Sequence, residues 1–272
     1  MKEKQYILLV LFNILIGILI FYIRVLSIVY AILIPLVGLY YVIKNQNSNH
    51  EVLYASAYIV GSEVFLRMTG GNLLYESSKY GVMVFLALGM YYSGFSKNAV
   101  PYWIYLILLL PGVIIATETL NMQTDLRKAI AFNISGPACL GIASLYCYNR
   151  KILLSQLNGI LLAVALPVFS TTIYLILYTP DLKEVLVGTG SNAATSGGFG
   201  PNQVATLLGM GMFVFFSRLL LESKTKLMFI INLILLFNIT YRGLVTFSRG
   251  GMLTGFIMII ILLAYLFMKT KS

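Results

Sequence analysis

Two short polar stretches interrupt an otherwise apolar chain: SGGFGPNQVATLLG at Ser196–Gly209 and TFSRGGMLTGF at Thr246–Phe256. Each is followed at once by a long hydrophobic run, so each sets the N-terminus of a helix beside glycine-rich backbone. Such a terminus carries free N–H groups and the positive end of the helix dipole, both suited to an anion. The second stretch adds Arg249, and Arg242 precedes it in the preceding run. Arginine is expensive beside hydrocarbon, and its planar fork of donors matches phosphate. Arg127, in LRKAIAFNISGP ahead of another apolar run, completes a set of three such cations. Pro201 suits a first helical position, where its missing N–H costs nothing, and Ser248 is placed to cap the last run. Gly197, Gly198, Gly200, Gly250 and Gly251 would let a ligand approach the backbone closely. Together these residues predict an anion cradle. They also have a plainer reading: arginines at helix ends snorkel to headgroups, glycine-rich segments form loops, and Asn202 and Gln203 cap the helix they open rather than touch a ligand.

The elements that must position these residues are membrane helices. With 59% hydrophobic residues, 10% charged residues and a mean hydropathy of +0.89, the chain cannot be a soluble globule, in which about a quarter of residues are charged. Its apolar runs reach the roughly 20 residues that span a bilayer. Ten helices are expected, near 6–23, 25–43, 52–66, 80–96, 100–117, 130–148, 153–178, 201–221, 227–246 and 251–268, in an all-α, polytopic membrane protein forming one transmembrane domain over 1–272. Lys2 and Lys4 before the first run resemble a signal peptide, but the run ends in FYIRVLS without a small-residue cleavage site, so it reads as a retained helix. No convincing internal repeat is present, which weakens a secondary-transporter reading.

Charge excludes further classes. The net charge of +10 is spread singly at the ends of runs rather than gathered in a patch, so it is not a nucleic-acid signature. Cys139 and Cys147 lie eight apart in one helical run, roughly 12 Å along the axis, too far for a disulfide. No Cys/His cluster points to a metal, and GTGSNAATSGGFG lacks the GK[ST] ending of a nucleotide-binding loop. No cofactor is expected.

Orientation follows from the cations. With the N-terminus cytoplasmic, eleven Lys and Arg residues face inward and eight outward, a bias of the expected sign. Lysine dominates inside, whereas five of the seven arginines (Arg24, Arg67, Arg127, Arg242 and Arg249) fall outside. The helices beginning near 130, 201 and 251 then all start at the outer face. Glu63 and Arg67 are spaced for an intrahelical pair. Glu118 and Asp125 bracket an outer loop, where a carboxylate either holds an arginine or assists a proton transfer.

The PN helix start at Pro201-Asn202 and the later SRG helix start at Ser248-Arg249-Gly250 resemble, in that order and membrane setting, the O-antigen ligase and polymerase family. The likeness covers the segment 196–268. It implies a membrane glycosyltransferase (GT-C-like) fold and a glycan carried on undecaprenyl diphosphate at the outer face of a bacterial inner membrane. That glycan passes to a lipid A-core sugar in ligases or to another repeat unit in polymerases. The resemblance implies that Arg249, Arg242 and Arg127 bind the diphosphate in place of a metal, with Asn202, Gln203, Ser248 and Gly250 as polar contacts. Members continue past the SRG helix into an outer loop carrying a histidine, whereas this chain runs to Lys271-Ser272, and its one histidine, His50, falls in a loop expected to be cytoplasmic. The resemblance therefore implies a truncated or split member that needs a companion chain, unless Glu118, Asp125, Asp181 or Glu184 serves as base. Two other classes stay open: a transporter or flippase for lipid-linked or anionic solutes, and a non-catalytic membrane assembly subunit.

Overall fold

The computed structural model describes residues 3–72, 74–119, 125–179 and 190–271, with the backbone alone at 119, 126, 127, 270 and 271. In hydrocarbon every backbone N–H and C=O must be satisfied within the chain, and a long apolar segment does so as a helix. The apolar runs accordingly form α1 (Glu3–Tyr22), α2 (Val25–Asn45), α3 (Glu51–Thr69), α4 (Ser77–Ser93), α5 (Val100–Thr119), α6 (Leu126–Cys147), α7 (Leu154–Tyr178), α8 (Pro201–Leu221), α9 (Lys226–Val245) and α10 (Arg249–Lys271), with a 3-10 turn at Ala194–Ser196 before α8. No strand occurs among the described residues. Among the described residues, eight of these ten helices are long and apolar enough to cross a membrane, and the chain is a multi-pass membrane protein. The exceptions are α4, which has only 17 residues, and α3, which carries Glu51, Glu63 and Arg67.

Local chemistry sets the helix ends. Pro201 is the first residue of α8, as expected. Asp125 opens α6 by accepting from the Lys128 amide at 3.2 Å, and Thr225 opens α9 by accepting from the Met228 amide at 3.2 Å. The fourth helix stops at Ser93 rather than 96, because Gly94 takes a left-handed φ of 65° and ends the helical path. The last helix starts at Arg249 rather than 251, which makes that arginine its first residue.

The chain gathers into two compact units: Met1–Tyr30, Gly61–Gly71 and Leu161–Ser272 form one, and Ala31–Val60 and Asn72–Ile160 the other. Both are equally apolar, so composition carries no trace of the boundary. In the first unit α8 packs against both α9 and α10. Small residues bring α8 and α10 into backbone contact: a Cβ on Gly251 would lie 2.3 Å from the Thr206 nitrogen, and one on Gly255 would lie 2.3 Å from the Gly209 carbonyl oxygen. Ala205 and Gly209 facing Gly251 and Gly255 make a small-residue crossing of the kind that drives helix association in lipid. Phe65, Ile20 and Tyr174 form a neighbouring core. In the second unit α6 packs on α4 and α5 around Val82, Phe85, Leu86 and Tyr146. Buried Asn47 ties this unit together, donating to Ser93 Oγ at 2.8 Å and to the Tyr146 hydroxyl at 2.9 Å while accepting from the Val52 amide. Neither Cys139 nor Cys147 is in a disulfide.

Candidate functional site

The two polar stretches meet in the first unit. Ser248, the last residue before α10, donates its hydroxyl to Asn202 Oδ1 of α8 at 2.8 Å. This bond links the starts of α8 and α10, whose backbones touch one turn further on. The Ser248 hydroxyl is thus turned to Asn202, and Asn202 braces a second helix start. Gln203 is exposed beside it, with its backbone amide bonded to the Gly200 carbonyl.

Arg249 is exposed. It lines an open groove of about 570 Å³ whose other walls are Met212, Thr240, Leu244, Phe247, Met252, Leu253 and Phe256, with Ser248 beside the arginine. That volume lies within the roughly 300–1,000 Å³ of small-molecule sites, which are mostly apolar with a few placed polar groups. Among the described residues, Arg249 is the single charged residue of the wall. At the head of the groove Phe247 holds a φ of 52°, a conformation uncommon for a bulky residue and one that concentrates at functional sites. It lets the chain reverse between α9 and α10 without extra residues.

Arg242 is placed differently. It is buried, in the last turn of α9, where a cation complements the carbonyl end of the helix. One guanidinium N–H donates to the Thr179 carbonyl at 3.2 Å, at the end of α7. The Thr179 hydroxyl in turn donates to the Ala194 carbonyl at 2.7 Å, which anchors the 3-10 turn before α8. Arg242 therefore ties three chain segments together.

The glycines divide by role. Gly197 and Gly198 have φ of 70° and 76° and shape the entry to α8, and Gly251 is consumed by helix packing. Gly250 is exposed, and a Cβ there would meet nothing within 4 Å. Of the five, it alone leaves open space beside Arg249.

Other expected residues lie elsewhere. Arg127 belongs to the first turn of α6, in the second unit, and its side chain lies outside the described residues. Asp181 and Glu184 also lie outside them. Glu118 is exposed near the end of α5, and Asp125 caps α6 and pairs with Lys128 at 3.2 Å. Glu63 and Arg67 form the expected intrahelical pair at 2.8 Å. His50 sits in the turn before α3 with a φ of 63°.

One polar cluster escaped the sequence reading. Glu76, buried before α4, accepts from Lys79 at 2.5 Å and from Ser135 of α6 at 3.0 Å. The i,i+3 spacing of Glu76 and Lys79 was visible as a pair, but nothing in the sequence linked it to Ser135.

No family model, curated protein or solved structure matches this chain.

Proposed function

We propose that this protein binds an undecaprenyl-diphosphate-linked glycan at the outer face of a bacterial inner membrane and serves its transfer to an acceptor hydroxyl in surface-polysaccharide ligation or polymerisation. One observation carries the reading: Arg249, the charged wall of an apolar groove, stands where the PN and SRG helix starts are joined by the Ser248–Asn202 bond. A lipid diphosphate is an anion at the end of an apolar chain, and this groove offers a partner to each part. In such a transfer the diphosphate leaves as the glycosidic C–O bond breaks, so negative charge grows on it. A guanidinium preorganised beside it stabilises that charge more in the transition state than in the bound donor. Arg249 is the direct ligand on this reading, and Arg242 holds the end of α7 against α9. The distribution of lysine and arginine supports a cytoplasmic N-terminus, which brings the starts of α8 and α10 to the outer face.

The test is binding of undecaprenyl diphosphate to the purified protein in detergent. A charge-assisted contact contributes about 1.5–3 kcal/mol, so Arg249→Ala should weaken binding roughly ten- to a hundredfold. Arg249→Lys should recover only part of it, since the fork is lost. Equal binding by wild type and Arg249→Ala would end the proposal.

A further inference from the structure

The turn between α8 and α9 presents a second, unrelated cation. Arg218, in the last turn of α8, is 5% exposed, and its guanidinium lies over the ring of Tyr6 from α1, 4.9 Å from the centroid. Tyr6, fully buried, donates its hydroxyl to Asn232 of α9. Asn232 Nδ2 donates to Ser223 Oγ at 2.9 Å, and Ser223 Oγ donates to the Arg218 carbonyl at 3.0 Å. This ring of bonds fixes the arginine in place without neutralising it. Among the described residues its buried Nε–H has no hydrogen-bond partner, and none of the ion pairs includes Arg218.

A guanidinium held in a membrane-spanning helix without an anion is unfavourable. The carbonyl end of α8 offsets part of that but does not fill the Nε–H. Exposed Lys4, Lys224 and Lys226 belong to the same corner, which Thr225 fastens to α1 by donating to Glu3. Four cations thus stand against the carboxylates of Glu3 and Glu222. The corner lies at the end of apolar spans, beside exposed Leu220, Leu221, Leu227 and Ile230. An anion carrying acyl chains satisfies both the charge and those faces, whereas a free anion satisfies only the charge.

We propose that the Arg218–Tyr6 corner, where α1 meets the α8–α9 turn, is a binding site for the phosphodiester headgroup of an anionic phospholipid. The cation–π contact with Tyr6 holds the guanidinium in place, and the lysines draw the headgroup in.

Native mass spectrometry of the full chain, released from micelles containing phosphatidylglycerol or phosphatidylcholine, tests this. Wild type should retain phosphatidylglycerol in preference to phosphatidylcholine. Arg218→Gln should lower that retention about tenfold or more. The exposed pair Lys224→Gln/Lys226→Gln, which leaves the buried ring intact, should lower it about fivefold per charge. Millimolar inorganic phosphate should not displace the lipid, and displacement would replace the lipid assignment with a free-anion site. Equal retention of both lipids, or unchanged phosphatidylglycerol retention in the lysine pair variant and in Arg218→Gln, would overturn the proposal.

Discussion

Arg242 and Arg249 are separated by one short break, yet the first is buried against the Thr179 carbonyl and the second opens onto the groove. Their difference follows from helix position: Arg242 closes α9 and points at the carbonyl end of α7, while Arg249 opens α10 at exposed backbone. The Ser248–Asn202 bond is the side-chain link between the helix starts, and a net hydrogen bond contributes about 0.5–1.5 kcal/mol. A double-mutant cycle with Ser248→Ala and Asn202→Ala should therefore give a coupling of about 1 kcal/mol in resistance to denaturant. A coupling near zero would mean that the two starts are held by backbone packing alone. The importance of the break was legible because a polar island in a chain with 10% charged residues stands out. Which way each guanidinium turns was not, since that depends on the partner helix. The left-handed φ of Phe247 had no signal at all, because nothing about a phenylalanine announces it.

The helices were the most legible part of the molecule, since an apolar run in lipid has few alternatives to a helix. Packing between them was less so. Gly250 and Gly251 are adjacent and looked equivalent, yet only Gly251 lies in the α8–α10 crossing. Gly251→Ala would force its Cβ against the backbone of Ala205 and Thr206 and should destabilise by about 1–3 kcal/mol, the usual range for overpacking. Gly250→Ala meets open space within a helix and should be neutral or stabilise by about 0.4–1 kcal/mol. Denaturation of the two variants in mixed micelles checks the contrast; equal effects would contradict the crossing described. The spacing of Ala205, Gly209, Gly251 and Gly255 was present in the sequence as two small-xxx-small patterns, but a pattern on each of two helices does not say that they face one another.

At the scale of the whole molecule, the division into two units was invisible to composition, and the side of the membrane each end faces rests on the distribution of lysine and arginine. That orientation predicts labelling of Ser191→Cys, and not of Lys224→Cys, by an impermeant thiol reagent added to the periplasmic side, in a background lacking the two native cysteines. The reverse pattern would invert the account of the site, since α8 and α10 would then begin in the cytoplasm. The central claim is that the groove between α9 and α10 receives the lipid of a polyprenyl diphosphate whose anion meets Arg249. The most direct measurement is photo-crosslinking with an undecaprenyl diphosphate analogue carrying a benzophenone in its first isoprene units, with the adducts mapped by peptide mass spectrometry. The expected adducts fall on Leu244, Leu253 or Phe256 and are lost on competition with undecaprenyl diphosphate and in Arg249→Ala. Adducts confined to other helices, or unaffected by either treatment, would contradict the account.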